Sequence, residues 1–394
     1  LEQRRHPIRA ADPLNTFQNI LQQQQLKRGG VMSKTRSLLL ATAMAAATCA
    51  SAYAAELKQI ATIPVPGEPL ISFDISFVDQ KTQRYYLADR SNKGVDIFDV
   101  KDNKYIGRVG GFVGAVLKAD GKVNSNKSGP DGVFVIGNEI WAGDGDSTIK
   151  VIDIKTGKVT DTIATGGSTR LDEMSYDPKN QIFIGVNNAE EPPFATLVST
   201  KKGHKIIAKV PFKDATDGAE QPDYNPADGM FYVSIPEVNK DPKKGAVAVI
   251  NPKDGKIVKM LPVDNCHPNG LAFGPNGNFV LGCAVRGKDG MPAIAVIMSS
   301  KTGQVVATVP DIGGADMVAY SKKNNQYYIG GGNNPGGGTL GVIDAATNKL
   351  VQKIAMKGAS TPHSVAVNDK NGHVIVPGGG GEGGCSCIQI YAMQ

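Results

Sequence analysis

The chain has 394 residues, 41% hydrophobic and 20% charged, with 47 Gly and 23 Pro. This balance excludes a disordered or collagen-like chain, and no apolar run is long enough to span a bilayer. Of the formal net charge of +6, most sits in residues 1–54, which hold seven Lys/Arg and two Asp/Glu; the remainder is near +1 and carries no basic patch for nucleic acid.

Residues 1–31 are Gln-rich (Gln22 to Gln25) and show no periodicity. They read as a leader that is non-native or a mis-assigned start. Met32-Ser-Lys-Thr-Arg-Ser then opens a basic stretch, Leu38 to Thr48 is a short apolar run, and Ala52-Tyr-Ala54 places small residues at both cleavage-determining positions. Residues 32–54 are therefore expected to be a secretory signal peptide cut after Ala54, which implies a periplasmic or secreted protein. Four cysteines follow it: Cys266, Cys283, Cys385 and Cys387. An even count in an exported chain suggests disulfides. Cys266 and Cys283 bracket one predicted hairpin, so pairing across it fits. Cys385-Ser-Cys387 would share one face of a strand, where a bridge is expected to be strained.

From residue 55 onward the chain is repetitive. Leu57-Lys-Gln-Ile-Ala-Thr-Ile63 has the character of a final strand of a unit, like Leu350-Val-Gln-Lys-Ile354. A strand, a polar turn and a second strand recur at Asp99–Lys104, Asp153-Ile-Lys-Thr-Gly-Lys158, Ser199–His204, Asn251-Pro-Lys-Asp-Gly-Lys256, Ser299–Gln304 and Asp344–Lys349. Alternating apolar residues around a Gly or Asn turn are the hairpin signal. A second element, a polar residue leading into a short apolar strand, recurs with leads at Phe73, Asp131, Asp172, Glu220, Asn269, Asp316 and His363. The steps are 58, 41, 48, 49, 47 and 47 residues, and residues 55–394 divided by seven give about 49. A period of roughly 40–50 residues with four strands per unit is the signature of a β-propeller. The expected fold is all-β: residues 55–394 as a single seven-bladed β-propeller of four-stranded blades. The chain ends on a third strand, Ile388-Gln-Ile-Tyr391, so the N-terminal strand is expected to complete the last blade and close the ring. The excess in the longest unit, Gly110 to Ser128, reads as a surface loop over one end.

The units resemble YVTN-type β-propeller repeats, through turns such as Ile152-Asp-Ile-Lys-Thr-Gly-Lys158 and over essentially all of 56–394. That resemblance speaks to fold more than to function. The heavy chain of methylamine dehydrogenase is similar in architecture, which implies a scaffold subunit of a periplasmic dehydrogenase as one possible role. Pro268-Asn-Gly-Leu-Ala-Phe-Gly-Pro-Asn-Gly277 is similar to a stretch of gluconolactonase-type propellers. There the Asn binds a divalent metal at the channel mouth together with acids. The resemblance implies Asn269 and Asp316 as ligands and a lactonase-like activity, although that family has six blades.

In a propeller the residues that begin the innermost strands converge at one mouth of the central channel. Six of the seven leads are polar. Asp172, Glu220, Asn269, Asp316 and His363 are the candidate metal ligands, for one divalent cation: Ca²⁺ or Mg²⁺ through oxygen, Mn²⁺ or Zn²⁺ if imidazole joins. Crowded carboxylates repel, and a cation relieves this. Asp316 or His267 could then serve as a base in hydrolysis of a lactone or ester. Polar residues at a wet mouth, or Asp and Asn capping a turn, account for the same pattern without any ligand. Three roles stay open: a module binding a small polar ligand or protein partner at the mouth, a metal-dependent hydrolase, or a dehydrogenase scaffold. No nucleic acid and no membrane span is expected.

Overall fold

A computed structural model describes residues 55–285, 290–356, 362–380 and 383–394. Residues 1–31 and 32–54, read from the sequence as a leader and a signal peptide, lie outside the described residues. The described residues form seven four-stranded sheets, every neighbouring pair antiparallel. Blades 1 to 7 begin with the innermost strands Ser76–Asp79, Val133–Ile136, Met174–Asp177, Pro222–Asn225, Pro268–Phe273, Ala315–Ser321 and Ala366–Asn368. Each innermost strand packs against the next, and the seventh packs against the first, so the sheets form a ring. Among the described residues no helix is long and apolar enough to cross a membrane.

The turn sequences explain the hairpins. All six predicted turns join the third strand of a blade to its fourth. In blade 2, Asp153 Oδ1 accepts hydrogen bonds from Thr156 N and Oγ1, both at 2.7 Å, and Gly157 takes φ 67°. In blade 6, Asp344 accepts the same pair from Thr347, and Asn348 takes φ 57°. The Asp side chain tightens the turn and a residue tolerant of the left-handed region completes it.

The apolar face of each blade packs on its neighbour. Seven buried clusters result, each drawing on two adjacent blades. The single tryptophan, Trp141, is fully buried between blades 2 and 3, with its ring 4.9 Å from that of Phe183. The fold is thus held between sheets, and the axis is left to polar groups.

The N-terminal strand closes the ring as expected. Leu57–Pro64 pairs with Cys387–Met393, from Leu57 opposite Met393 to Pro64 opposite Cys387. This strand supplies the fourth strand that the C-terminal end lacks, so blade 7 is built from both ends of the described chain.

Both disulfides are present. Cys266–Cys283 is buried in blade 5. Cys385–Cys387 also forms. The expectation that the latter pair would sit on one strand face is corrected: the strand begins at Cys387, and Ser386 takes φ 44°, which turns Cys385 back toward its partner.

Candidate cation site at the axial mouth

The lead residues sit at or just before the innermost strands, where a narrow pair of backbone hydrogen bonds holds them. Asp74 N donates to Ala88 O at 2.9 Å, Asp131 N to Gly143 O at 3.0 Å, Asp172 N to Val186 O at 2.8 Å and Glu220 N to Ser234 O at 2.9 Å. This register corrects the first lead. Asp74, rather than Phe73, is equivalent to Asp131, Asp172 and Glu220. Phe73 is buried in the apolar cluster between blades 7 and 1. The sequence reading slipped by one residue because the apolar Phe73 precedes the same kind of short strand.

The other six leads come together with Asp74 in one charge network, buried at Asp131 and Asp172 and half-buried at Glu220, Asn269, Asp316 and His363. Arg90, at the end of the second strand of blade 1, donates from Nε to Asp131 Oδ1 at 2.9 Å and from Nη2 to both Asp74 and Asp131. Arg170 Nη2 lies 2.6 Å from Asp172 Oδ2, and its Nη1 lies 3.2 Å from Asp74 Oδ2 and 3.6 Å from Asp131 Oδ1. His363 Nε2 lies 2.6 Å from Asp74 Oδ1 and 3.0 Å from Asp316 Oδ2. Asn269 Nδ2 donates to Asp316 Oδ1 at 3.3 Å. Gly270 lets that approach happen, since a Cβ there would fall 2.8 Å from Asp316 O.

The network is lopsided. Toward blades 1 to 3, the two guanidinium groups pair with Asp74, Asp131 and Asp172, although Asp131 Oδ2 and Asp172 Oδ1 make no hydrogen bond among the described residues. Toward blades 4 to 6, Glu173, Glu220 and Asp316 bring carboxylate oxygens within 4.8 Å of one another. His363 pairs with Asp316 and is shared with Asp74, while Arg170 offsets part of the repulsion on Glu220. Glu173 is 2% exposed, and its Oε2 has no hydrogen-bond partner among the described residues; the same holds for Asn269 Oδ1.

The electrostatics follow. Burial pushes the Glu173 carboxyl well above the usual range, and Asp316 and Glu220 push it further. Glu220 is likewise raised by burial, then by Asp316 and Asp172. Burial takes Asp172 up to about 7 against the pull of Arg170. Asp316 runs the other way: burial opposes ionisation, but His363 outweighs it and lowers the pKa. For His363, burial opposes the charge, while Asp316 and Asp74 hold the imidazolium well above the ordinary histidine range. Six carboxyls thus face three cationic side chains in a site that is buried on the side of Asp74, Asp131 and Asp172 and partly open at Glu220, Asp316 and His363, so protons, solvent or an added cation balance the remainder.

His267 lies elsewhere. Its Nε2 is 3.2 Å from Asp217 Oδ2, in a group with Glu237 that shares no member with the axial set. The Gly110–Ser128 segment does fold over one end of the ring, and its Asn126 O accepts from Arg170 N at 3.0 Å. A cleft of about 600 Å³ opens from Glu220 past Asn188, Glu190, Thr216, Lys213 and Lys240.

Asp74, Arg90 and Arg170 escaped the sequence reading, whereas Glu173 directly follows the lead Asp172. Arg170 had a local signal, a charged residue two places before the lead Asp172. Arg90 follows Asp89 at a strand end and had none. No family model matches the chain, and no curated protein matches it significantly.

Proposed function

We propose that the chain is an exported β-propeller that binds a divalent cation at its axial mouth and, through it, a small polar ligand. One observation carries this reading: Glu173, Glu220 and Asp316 converge beside Asn269 Oδ1, and both this oxygen and the buried Glu173 Oε2 lack a hydrogen-bond partner among the described residues. The donors are oxygens, which suits Ca²⁺ or Mg²⁺. Asp172 is engaged by Arg170, and His363 Nε2 by two carboxylates, so both support the site from behind and an imidazole-bound Zn²⁺ or Mn²⁺ is less favoured. A bound cation would orient and polarise an oxygen of the ligand. The cleft beside Glu220 offers room for the rest of that ligand, with Lys213 and Lys240 among its walls.

Export is supported by the signal-like segment 32–54 and by two disulfides, which persist in oxidising compartments. Secreted material beginning at Ala55 is expected; intact mass measurement checks this.

A second reading, hydrolysis of a lactone or ester, has one observation in its favour. Asp316, a member of the same cluster, is kept ionised by His363, the protonation state a general base needs. Elemental analysis of purified protein, with and without chelator, paired with a lactone and ester panel separates the readings. Stoichiometric cation without turnover supports the binding module, chelator-sensitive turnover supports the hydrolase, and metal-free protein contradicts both.

A further inference from the structure

The two disulfides differ in burial and in the length of the loop they close. Cys266 and Cys283 are both fully buried and 17 residues apart. Cys385 and Cys387 are 2 residues apart. Cys385 is exposed at the head of the blade 7 strand, whereas Cys387 is 1% exposed within it. So short a loop loses little chain entropy when it closes, and the bridge gains correspondingly little from being formed. Ser386 between them is held at φ 44°, a left-handed conformation that a non-glycine residue adopts at a cost. Gly378 leaves the space the bridge occupies, since a Cβ there would fall 2.5 Å from Cys385 Sγ. The neighbouring backbone is held independently of the sulfurs: Ser386 O accepts from Val65 N at 2.9 Å and Ser386 Oγ from Leu70 N at 3.0 Å. The sheet can therefore stay paired while the bridge opens.

We propose that Cys385–Cys387 is a thiol–disulfide exchange site whose co-reactant is a dithiol. A thiolate of the dithiol attacks the accessible Cys385 Sγ. The Cys385–Cys387 bond breaks, a mixed disulfide to Cys385 forms, and Cys387 leaves as a thiolate that takes up a proton. The second thiol of the dithiol, once deprotonated, attacks the sulfur of its own molecule within the mixed disulfide. This closes the dithiol into a disulfide and releases Cys385 as a thiolate, which is protonated. Two electrons and two protons pass to the protein, and the reverse sequence reoxidises it. Attack is directed by access: Cys385 is reachable and Cys387 is shielded.

The test uses folded protein treated with graded dithiothreitol, quenched with iodoacetamide and mapped by peptide mass spectrometry. Cys385 and Cys387 should both become alkylated at concentrations that leave Cys266 and Cys283 bridged, and glutathione disulfide should restore the bridge without unfolding. A Cys385–Cys387 bridge that opens only on unfolding, or only together with the buried one, overturns the proposal. The direction of attack has its own test with single variants and glutathione disulfide. Cys387→Ser should be glutathionylated at Cys385, and Cys385→Ser should remain largely unmodified. Equal modification of the two variants overturns the assignment of Cys385 as the attacked sulfur.

Discussion

His363 Nε2 lies 2.6 Å from Asp74 Oδ1, and this contact joins the lead of the last blade to the lead of the first. The ring is therefore closed twice, by the N-terminal strand on the outside and by an ion pair at the axis. His363 also reaches Asp316 in blade 6, so three successive blades meet on one imidazole nitrogen.

Replacing His363 by Gln should destabilise the fold by about 2 kcal/mol, less than the roughly 3–5 kcal/mol for breaking a fully buried pair, because the imidazole is 34% exposed. The folded pKa of His363 is raised, so its contribution is complete below the ordinary histidine pKa and is lost as pH rises through the folded value. Urea denaturation of both proteins should show the gap narrowing at high pH. A gap that widens there contradicts the ion pair.

Arg90 is buried between Asp74 and Asp131. Arg90→Met leaves the buried Asp131 with only the 3.6 Å contact to Arg170, while Asp74 keeps Arg170 and His363, and should cost about 3 kcal/mol. The double variant Arg90→Met, Asp131→Leu removes that carboxylate and should recover part of the loss. Additive losses in thermal denaturation would deny the coupling.

Away from the axis, Asp96 is pushed up to about 8, first by burial and then by its neighbour Asp89, with Arg108 offsetting only part. Arg108 Nε sits 2.8 Å from Asp96 Oδ1. A carboxyl that keeps its proton when folded favours the folded state fully below the ordinary aspartate pKa of 3.8, and this stability is lost as pH rises through about 8. Asp96→Asn should flatten the fall in stability across that window. An unchanged slope in stability against pH would show that Asp96 is ionised in the folded protein.

The buried Cys266–Cys283 bridge closes a loop of 17 residues. Replacing both cysteines by Ser should lower stability by about 3 kcal/mol, the order expected from the chain entropy restored to the unfolded state. Chemical denaturation measures this directly, and a loss well under 1 kcal/mol would contradict the account.

The fold was legible because its signals are local and repeated. Turns such as Asp153–Lys158 and Asp344–Lys349 recur at fixed distances, and the unpaired character of Leu57–Ile63 announced the closure. The site was legible only in part. Asp172, Glu220, Asn269, Asp316 and His363 could be aligned by their place before an innermost strand. Their partners could not, because Arg90 meets Asp131 across 41 residues and Arg170 meets Asp74 across 96. Such pairings depend on how neighbouring blades face each other around the axis. The Asp74 register was missed for a related reason: an apolar neighbour masks which of two adjacent residues points inward, and the backbone pairing alone decides it.

Calorimetric titration of Ca²⁺ and Mg²⁺ into chelator-stripped protein tests the axial assignment most directly. Saturable binding of one ion per chain is expected, weakened at least tenfold by Glu173→Gln or Asn269→Ala, in keeping with a lost ligand or an equivalent supporting group. No heat of binding, or binding untouched by these changes, would contradict a cation at the mouth.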